Sequence, residues 1–381
     1  MNLTFQICDS ISKIGESLWE QFRTDDYPFT RYAFLHALES SGAVCAETGW
    51  QPAHLKILVD GAPVAVLPMY LKSHSYGEYV FDWAWADAYQ RHGRPYYPKL
   101  VTSIPFSPVT GPRLLTPLST DLLLPQLTIA IPKIAATLGA YSWHGLFFSA
   151  AEIKQFGNAF LLRQDCQYHW YNRNYQNFEH YLAHFNSRKR KNLRKERQKI
   201  SHQGVQLTRS TGTDISPDSI RIFYRFYQAT YWKRGQRPYL PPEFFHQLRE
   251  TMPEQLLLVE ACCDDQPVAA ALCLQDSQTL YGRYWGCLEE FDSLHFETCY
   301  YQGIDHCIET GRQRFDPGAQ GEHKIQRGFE PTTTYSAHWL QEQGFNEAIA
   351  RFILEEQHVL DERMQALAQL LPFKQATESN E

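Results

Sequence analysis

Several things are missing from this 381-residue sequence, and each absence removes a class of function. No apolar run approaches the roughly 18 uninterrupted residues that a bilayer-spanning helix needs, so no transmembrane segment is expected. The start, MNLTFQICDSISKIGE, has no basic stretch leading into an apolar one. No secretory signal is expected, and the reading is a cytoplasmic protein. None of the nine cysteines forms a CxxC pair, and Cys273 sits inside the apolar run AALCL. These read as reduced core thiols rather than a disulfide framework. GxSxG, Walker A, GxGxxG and HExxH are all absent. That removes serine hydrolases, nucleoside triphosphatases, dinucleotide enzymes and zinc proteases in their usual forms.

What is present is the composition of a globular chain, 43% apolar and 20% charged, long enough for two domains. Aromatic residues make up 14%, with 22 Tyr and 9 Trp, so some rings are expected in binding clefts as well as in cores. The net charge is −6. Acidity of this size argues against coating nucleic acid, so any anion binding is local. One segment supplies it. From Arg188 to Lys199 there are eight Lys or Arg against one Glu, a net of +7, and everything else sums to −13.

Short matches recur at nearly constant separation. Pro63-Val64-Ala65 returns as Pro267-Val268-Ala269, Tyr76-Gly77-Glu78-Tyr79 as Tyr281-Gly282-Arg283-Tyr284, and Tyr96-Tyr97 as Tyr300-Tyr301, each 204 or 205 residues later. Phe34–Leu38 is echoed by Phe244–Leu248. Matches in one order at one offset point to two copies of a domain. Each copy reads as a helix (PFTRYAFLHALESSG; PPEFFHQLRETMP) and a hairpin (HLKILVD to PVAVLPMYL; QLLLVEACC to PVAAALCLQ). A third strand follows (GEYVFDWAW; LYGRYWGCL), then a loop and a helix, the second being CYYQGIDHCIETG with Gly311 as its cap. The expected boundaries are 1–165, 166–344 and a C-terminal amphipathic helix and tail over 345–381, with apolar positions from Ile349 to Leu371. A helix over the basic segment is expected to start at Ser187 and stop at Gly204.

In this layout the chain resembles the duplicated acyltransferase (GNAT) fold, and more narrowly the FemAB-like proteins described as peptidoglycan biosynthesis or recognition proteins. The blocks that carry the resemblance are SYGEYVFDWAW (75–85), YYPKL (96–100), HWYNRNYQNF (169–178), SRKRKNLRKERQKI (187–200), LYGRYWGC (280–287), LHFETCYYQGI (294–304), GAQGEHKIQRGFEP (318–331) and SAHWL (336–340). The resemblance implies an α/β (α+β) fold of two tandem GNAT-like (acyl-CoA N-acyltransferase fold) domains, with mixed, largely antiparallel sheets and a long C-terminal helix. It implies transfer of an aminoacyl group from aminoacyl-tRNA to an amine on a cell-wall precursor peptide. No tightly bound cofactor is implied, since the donor is a co-substrate.

Acyl transfer to an amine needs a deprotonated amine, a stabilised oxyanion and a donor held nearby. Glu297, Glu322 and His323 are candidate bases, and Lys324 a candidate holder of the oxyanion or a phosphate. Lys324 before Arg327-Gly328-Phe329 matches the family pattern of a basic residue followed by a Gly-Phe pair. The competing structural reading is a Glu297–Lys324 ion pair. His295, Glu297 and His323 fit no standard metal spacing, so no metal is expected. Asp82, Trp85, Tyr96, Tyr97 and Lys99, with Trp83 beside them, form a candidate substrate-binding set able to stack a base or sugar. Strand alternation would put one of Trp83 and Trp85 in the core. Arg283 and Tyr300 complete the set, and Arg188, Arg190, Lys191 and Arg194 are the candidate anion-binding residues. Acyl-CoA users of this fold cradle pyrophosphate on a Gly-rich loop at a helix N-terminus. The loops expected at 82–94 and 288–298 are Gly-poor, and the second carries Glu289, Glu290 and Asp292.

The first reading is therefore a FemAB-like N-acyltransferase using aminoacyl-tRNA, with an acetyl-CoA-dependent N-acetyltransferase as the alternative. A non-catalytic binder of cell-wall precursor or RNA is the rival from another class. The expected partners are a cell-wall precursor or another amine acceptor, tRNA, and an anionic membrane contacted peripherally through the basic segment.

Overall fold

The computed structural model describes residues 2–319 and 321–374. The apolar runs become strands, in chain order β1 (Leu3–Cys8), β2 (Trp50–Pro52), β3 (His54–Val59), β4 (Ala62–Leu67), β5 (Tyr70–Lys72), β6 (Lys99–Thr102), β7 (Ser142–Phe148), β8 (Leu161–Tyr171), β9 (Val205–Thr211), β10 (Leu256–Cys263), β11 (Gln266–Gln275), β12 (Thr279–Cys287), β13 (Arg314–Asp316) and β14 (Glu330–Leu340). They fall into two compact units. The first comprises residues up to Cys166 with Tyr239–Leu248 and Thr333–Glu362, and the second Gln167–Pro238, Arg249–Thr332 and the chain from Arg363.

In the first unit the expected β3–β4 hairpin forms, turning at Asp60 (φ 50°) and Gly61 (φ 85°), and β1 pairs antiparallel with β3. Two positive φ values in succession are what a tight hairpin turn with right-handed strand twist demands. A second sheet runs β2-β5-β6-β7-β14, with only β6–β7 parallel. Its core joins Leu55, Leu67, Leu100, Trp143 and Phe148 to Leu124, Leu127 and Ile131 of the helix Thr120–Thr137. The third strand expected at GEYVFDWAW is absent. Residues 75–82 are a loop, and Trp83–Arg91 is a helix. Trp85 and Tyr89, four residues apart, are buried on one face of it; helical period, not strand alternation, makes Trp85 core and leaves Trp83 outside. The echoed segments Phe34–Leu38 and Phe244–Leu248 pack on each other in this unit. Phe34 meets Phe244 edge to face at 5.6 Å, and Ser40 Oγ donates to Gln247 Oε1 at 2.7 Å.

The second unit's sheet runs β8-β13-β12-β11-β10-β9, with only β12–β13 parallel. The helix Pro217–Trp232 lies so close on β12 that a Cβ at Gly286 would sit 2.0 Å from the Phe226 carbonyl oxygen. The basic helix spans Ser187–His202 and buries only Leu193 and Ile200. Its cap is Asn186, one residue before the expected Ser187, and its side chain accepts from Lys189 N. Gln203 closes the helix, and Gly204 follows at φ 76°. The expected 288–298 loop is helical from Leu294, and the expected helix at CYYQGIDHCIETG begins with a π turn, Glu297–Tyr301, before Gln302–Thr310. Gly311 caps it at φ 73°, as expected. The C-terminal helix is Gln343–Gln369 and buries Ile349, Ile353, Leu360 and Leu367. The expected tail beyond Lys374 lies outside the described residues. No helix among the described residues is long and apolar enough to cross a membrane.

Candidate functional site

In the second unit the π turn and the 3-10 turn Glu322–Arg327 bring polar groups together. A π turn rotates successive side chains out of the α register, a feature frequent at functional sites. Here it sends Tyr300 to His323, whose Nε2 lies 3.0 Å from the phenol oxygen, and Tyr301 to Glu196 and Arg327. The 3-10 turn ends at Gly328, φ 80°, where a Cβ would lie 2.1 Å from the Tyr181 hydroxyl. That hydroxyl donates to Arg327 O at 2.5 Å, so glycine is required for this closure. Phe329 then packs between Tyr300 and Phe315.

Lys324 is 2% exposed. Its Nζ donates to Gly318 O at 2.7 Å and Pro317 O at 3.4 Å, and among the described residues it has no carboxylate within ion-pair distance. The acid that acts on it, Asp316, is engaged by Arg283 at 2.7 Å, and burial would raise its pKa but Arg283 and then His169 hold it well below the usual carboxylate range. Burial lowers Lys324 to about 8, with Asp316 opposing. The His323 side chain reaches solvent, but loss of water around its ring, followed by Arg327 and Lys324, lowers its pKa and disfavours the charged form. The turn thus offers an imidazole able to accept a proton beside a buried ammonium that touches only carbonyl oxygens, with Asp316 acting on it at longer range.

The expected carboxylate bases are elsewhere. Glu297 is buried and held by Arg197 at 2.9 Å and by Gln302 at 2.7 Å, with Asp305 on the same guanidinium. Glu322 is exposed and accepts from Arg363 at 2.7 Å. The ion pair between Glu297 and Lys324 does not form; Glu297 ties the π turn to the basic helix instead. Among the described residues no group of three or more His, Cys, Asp or Glu is placed to hold a metal.

The first unit holds a separate charge cluster. Lys99 Nζ donates to Glu78 and Ser75 at 2.8 Å each and to Asp82, and Tyr96 donates to Asp82 at 2.6 Å. Burial opposes the charge on Lys99, but Asp82 and Glu78 outweigh it and raise its pKa. Lys72, lying 3.5 Å over the Trp50 ring, is lowered by burial to about 7, and Glu78 is raised by burial to about 7. Asp82, Trp85, Tyr96 and Lys99, expected to face a substrate, are all interior, and Tyr97 is half-buried with its hydroxyl 2.8 Å from Ser75. Beneath them His144 and His338 meet Nδ1 to Nδ1 at 2.7 Å, and burial lowers both pKa values. Sequence reading missed Lys72, Glu78, His144 and His338. The signal was a lone polar residue in an apolar run, as in SWHGLFF.

The basic helix is divided. Arg194 pairs with Glu179, Arg197 with Glu297 and Asp305, and Lys199 with Asp292. Among the described residues Arg188, Lys189, Arg190, Lys191 and Lys195 make no ion pair, and Arg188, Lys191 and Lys195 are exposed at helical spacing on one face.

Two mixed α/β units arranged in this order define a fold seen in several solved structures. The crystal structure of FemX matches with a TM-score of 0.54 at 11% identity, over 92% of this chain and 100% of that one. The C-terminal domain of a putative lysylphosphatidylglycerol synthetase from Agrobacterium fabrum gives 0.52 at 11% identity, over 92% and 98%. L-PGS from Bacillus licheniformis gives 0.51 at 10% identity, over 87% and 98%. At such identities the likeness is one of fold. No curated protein matches by sequence. The family itself is shown by its own model: FemAB-like, peptidoglycan biosynthesis/recognition, matches residues 10–375, and this chain belongs to that family.

Proposed function

We propose that this chain is an aminoacyl transferase of the FemAB-like kind, carrying an aminoacyl group from aminoacyl-tRNA to an amine of a cell-wall precursor. The observation that carries the reading is Lys324, a buried cation with no carboxylate partner among the described residues, beside His323. A buried ammonium with no carboxylate in contact is costly to fold around, which is understandable where negative charge develops during a reaction. In the proposed step the acceptor nitrogen attacks the ester carbonyl and a C–N bond forms. Lys324 faces the oxyanion, His323 takes the proton from nitrogen and passes it to the departing oxygen, and the ester C–O bond breaks to release the ribose hydroxyl. The unpaired cations of the basic helix suit a polyanionic donor.

The test is transfer of label from aminoacyl-tRNA or acetyl-CoA to a UDP-linked muropeptide by the purified protein and by Lys324→Met. Transfer from aminoacyl-tRNA, lost in the variant, is the expected result. Transfer from acetyl-CoA alone replaces the donor. No transfer from either by folded protein, with cellular function intact in the variant, overturns the enzyme reading in favour of a binding module.

A further inference from the structure

Residues 72–83 invert the usual arrangement of a folded chain. Lys72, Ser75, Glu78 and Asp82 point inward at 0–5% exposure, gathered around Lys99. Tyr76, Phe81 and Trp83 point outward at 56%, 48% and 44%. Single exposed rings are ordinary on a protein surface. Three large rings are exposed within eight residues, at the end of a loop anchored by buried ion pairs, and two of them, Tyr76 and Trp83, touch; exposed apolar groups of this kind mark interaction sites. Burying charge is unfavourable unless it is paired and hydrogen-bonded, and here it fixes a loop whose apolar side chains are left in water. The rings are ordered against one another: Tyr76 and Trp83 have centroids 5.2 Å apart with planes at 59°, and His74 meets Tyr76 at 5.3 Å.

The chemistry of the occupant follows from charge. The exposed side chains of residues 73–84 are Ser73, Tyr76, Phe81, Trp83 and Ala84, and none is ionic. A phosphate or nucleic acid would require cations here, and recruitment to an anionic bilayer would use them too. The charges bordering it are paired, Asp87 with Arg91 at 3.1 Å and Arg163, which donates to Phe81 O, with Glu356, so among the described residues the aromatic surface carries no free cation and fits a neutral ligand with apolar faces edged by hydroxyls. We propose that Tyr76 and Trp83 form a stacking platform for the neutral sugar rings of a glycan. The link to function rests on the transferase reading, in which this glycan is the carbohydrate portion of the acceptor; the binding itself does not.

The experiment is calorimetric titration of the full chain with a β-1,4-linked N-acetylglucosamine tetramer. Saturable binding is expected, and Trp83→Ala or Tyr76→Ala weakens it by about tenfold or more, as loss of an aromatic contact does. Leu122→Ala, exposed elsewhere in the unit, leaves it unchanged. Unchanged thermal midpoints establish that the variants fold. No saturable binding by the parent chain, or equal binding by Trp83→Ala, overturns the proposal. So does ring-dependent sedimentation with phosphatidylcholine vesicles, or ring-dependent self-association, in the absence of glycan binding. Lys324→Met keeps glycan binding under this proposal. Transfer without glycan binding therefore sinks the platform alone, and glycan binding without transfer sinks the transferase reading alone.

Discussion

Replacing Lys324 by methionine keeps length and apolar stem but removes the charge, and the structure gives the size of the effect. The change from 10.5 to about 8 corresponds to ~3 kcal/mol of destabilisation of the charged form by folding. The folded pKa is lowered, so between about pH 8 and pH 10.5 the unfolded chain holds more protons than the folded one, and stability rises with pH across that window. Methionine has no such dependence, but it leaves Gly318 O and Pro317 O without their donor, at a cost of ~1 kcal/mol each. At pH 7 the two effects nearly cancel, and the variant is as stable as the parent or ~1 kcal/mol more so. Near pH 10.5 the parent's penalty has gone and the variant is the weaker by ~2 kcal/mol. Urea unfolding of both proteins at pH 7 and pH 10.5 measures the difference, in which other titrating groups cancel. A difference that does not move with pH, or a variant more than ~2 kcal/mol weaker at pH 7, refutes the assignment of Lys324 as an uncompensated cation. Transfer by the variant is expected to fall by about 10²–10³, the usual effect of removing one oxyanion donor.

Gly286→Ala drives a Cβ to within 2.0 Å of the Phe226 carbonyl, backbone against backbone; a loss of about 3 kcal/mol or more is expected, read as a lowered unfolding midpoint or no soluble protein. Arg283→Met leaves Asp316 buried without its partner and costs about 3–5 kcal/mol at neutral pH. Because Arg283 holds the Asp316 pKa down, this stability is present above the ordinary aspartate value of 3.8 and lost as pH falls below it, so parent and variant converge in acid unfolding. If the donor is aminoacyl-tRNA as proposed, reversing Arg188, Lys191 and Lys195 to Glu weakens tRNA binding and reduces the slope of log affinity against log salt by about 2 to 3, without lowering the thermal midpoint.

The hairpins β3–β4 and β10–β11 were legible because apolar runs met at Asp60-Gly61 and Asp264-Asp265, and positive φ at those residues is what the turns use. The helix at Trp83–Arg91 was not, because a single short stretch of aromatics fits two periods and only packing of Trp85 and Tyr89 decides between them. The echo of Phe34–Leu38 in Phe244–Leu248 was visible, but sequence alone does not say whether similar segments occupy equivalent places or face each other. For the site, the residue types around Lys324 were legible, and their partners were not. Glu297 finds Arg197, 100 residues away, and Glu322 finds Arg363. A carboxylate's availability as a base depends on such long-range partners, which local spacing does not encode.

The basic helix divides into residues paired with acids and residues that are not. Its only acid, Glu196, accepts from Arg327 at 2.8 Å and from Tyr301, and Arg327 in turn donates to His323 O at 2.8 Å. Arg197 fixes Glu297 and Asp305. These inner residues position the π turn and the His323 turn, so replacing them damages packing whatever the ionic strength. The outer residues do the opposite. Four consecutive cations, Arg188 to Lys191, lie in or beside the first turn, where no acid stands and the helix dipole is already positive. Each is unfavourable there by ~0.3–1 kcal/mol at low salt, and repulsion among them adds to this. A bound polyanion reverses the sign of both terms at once. The two halves therefore separate experimentally: Arg197→Met lowers stability at every salt concentration, whereas, if the proposed tRNA donor is right, Arg188→Glu changes tRNA affinity only where salt leaves the phosphates unscreened.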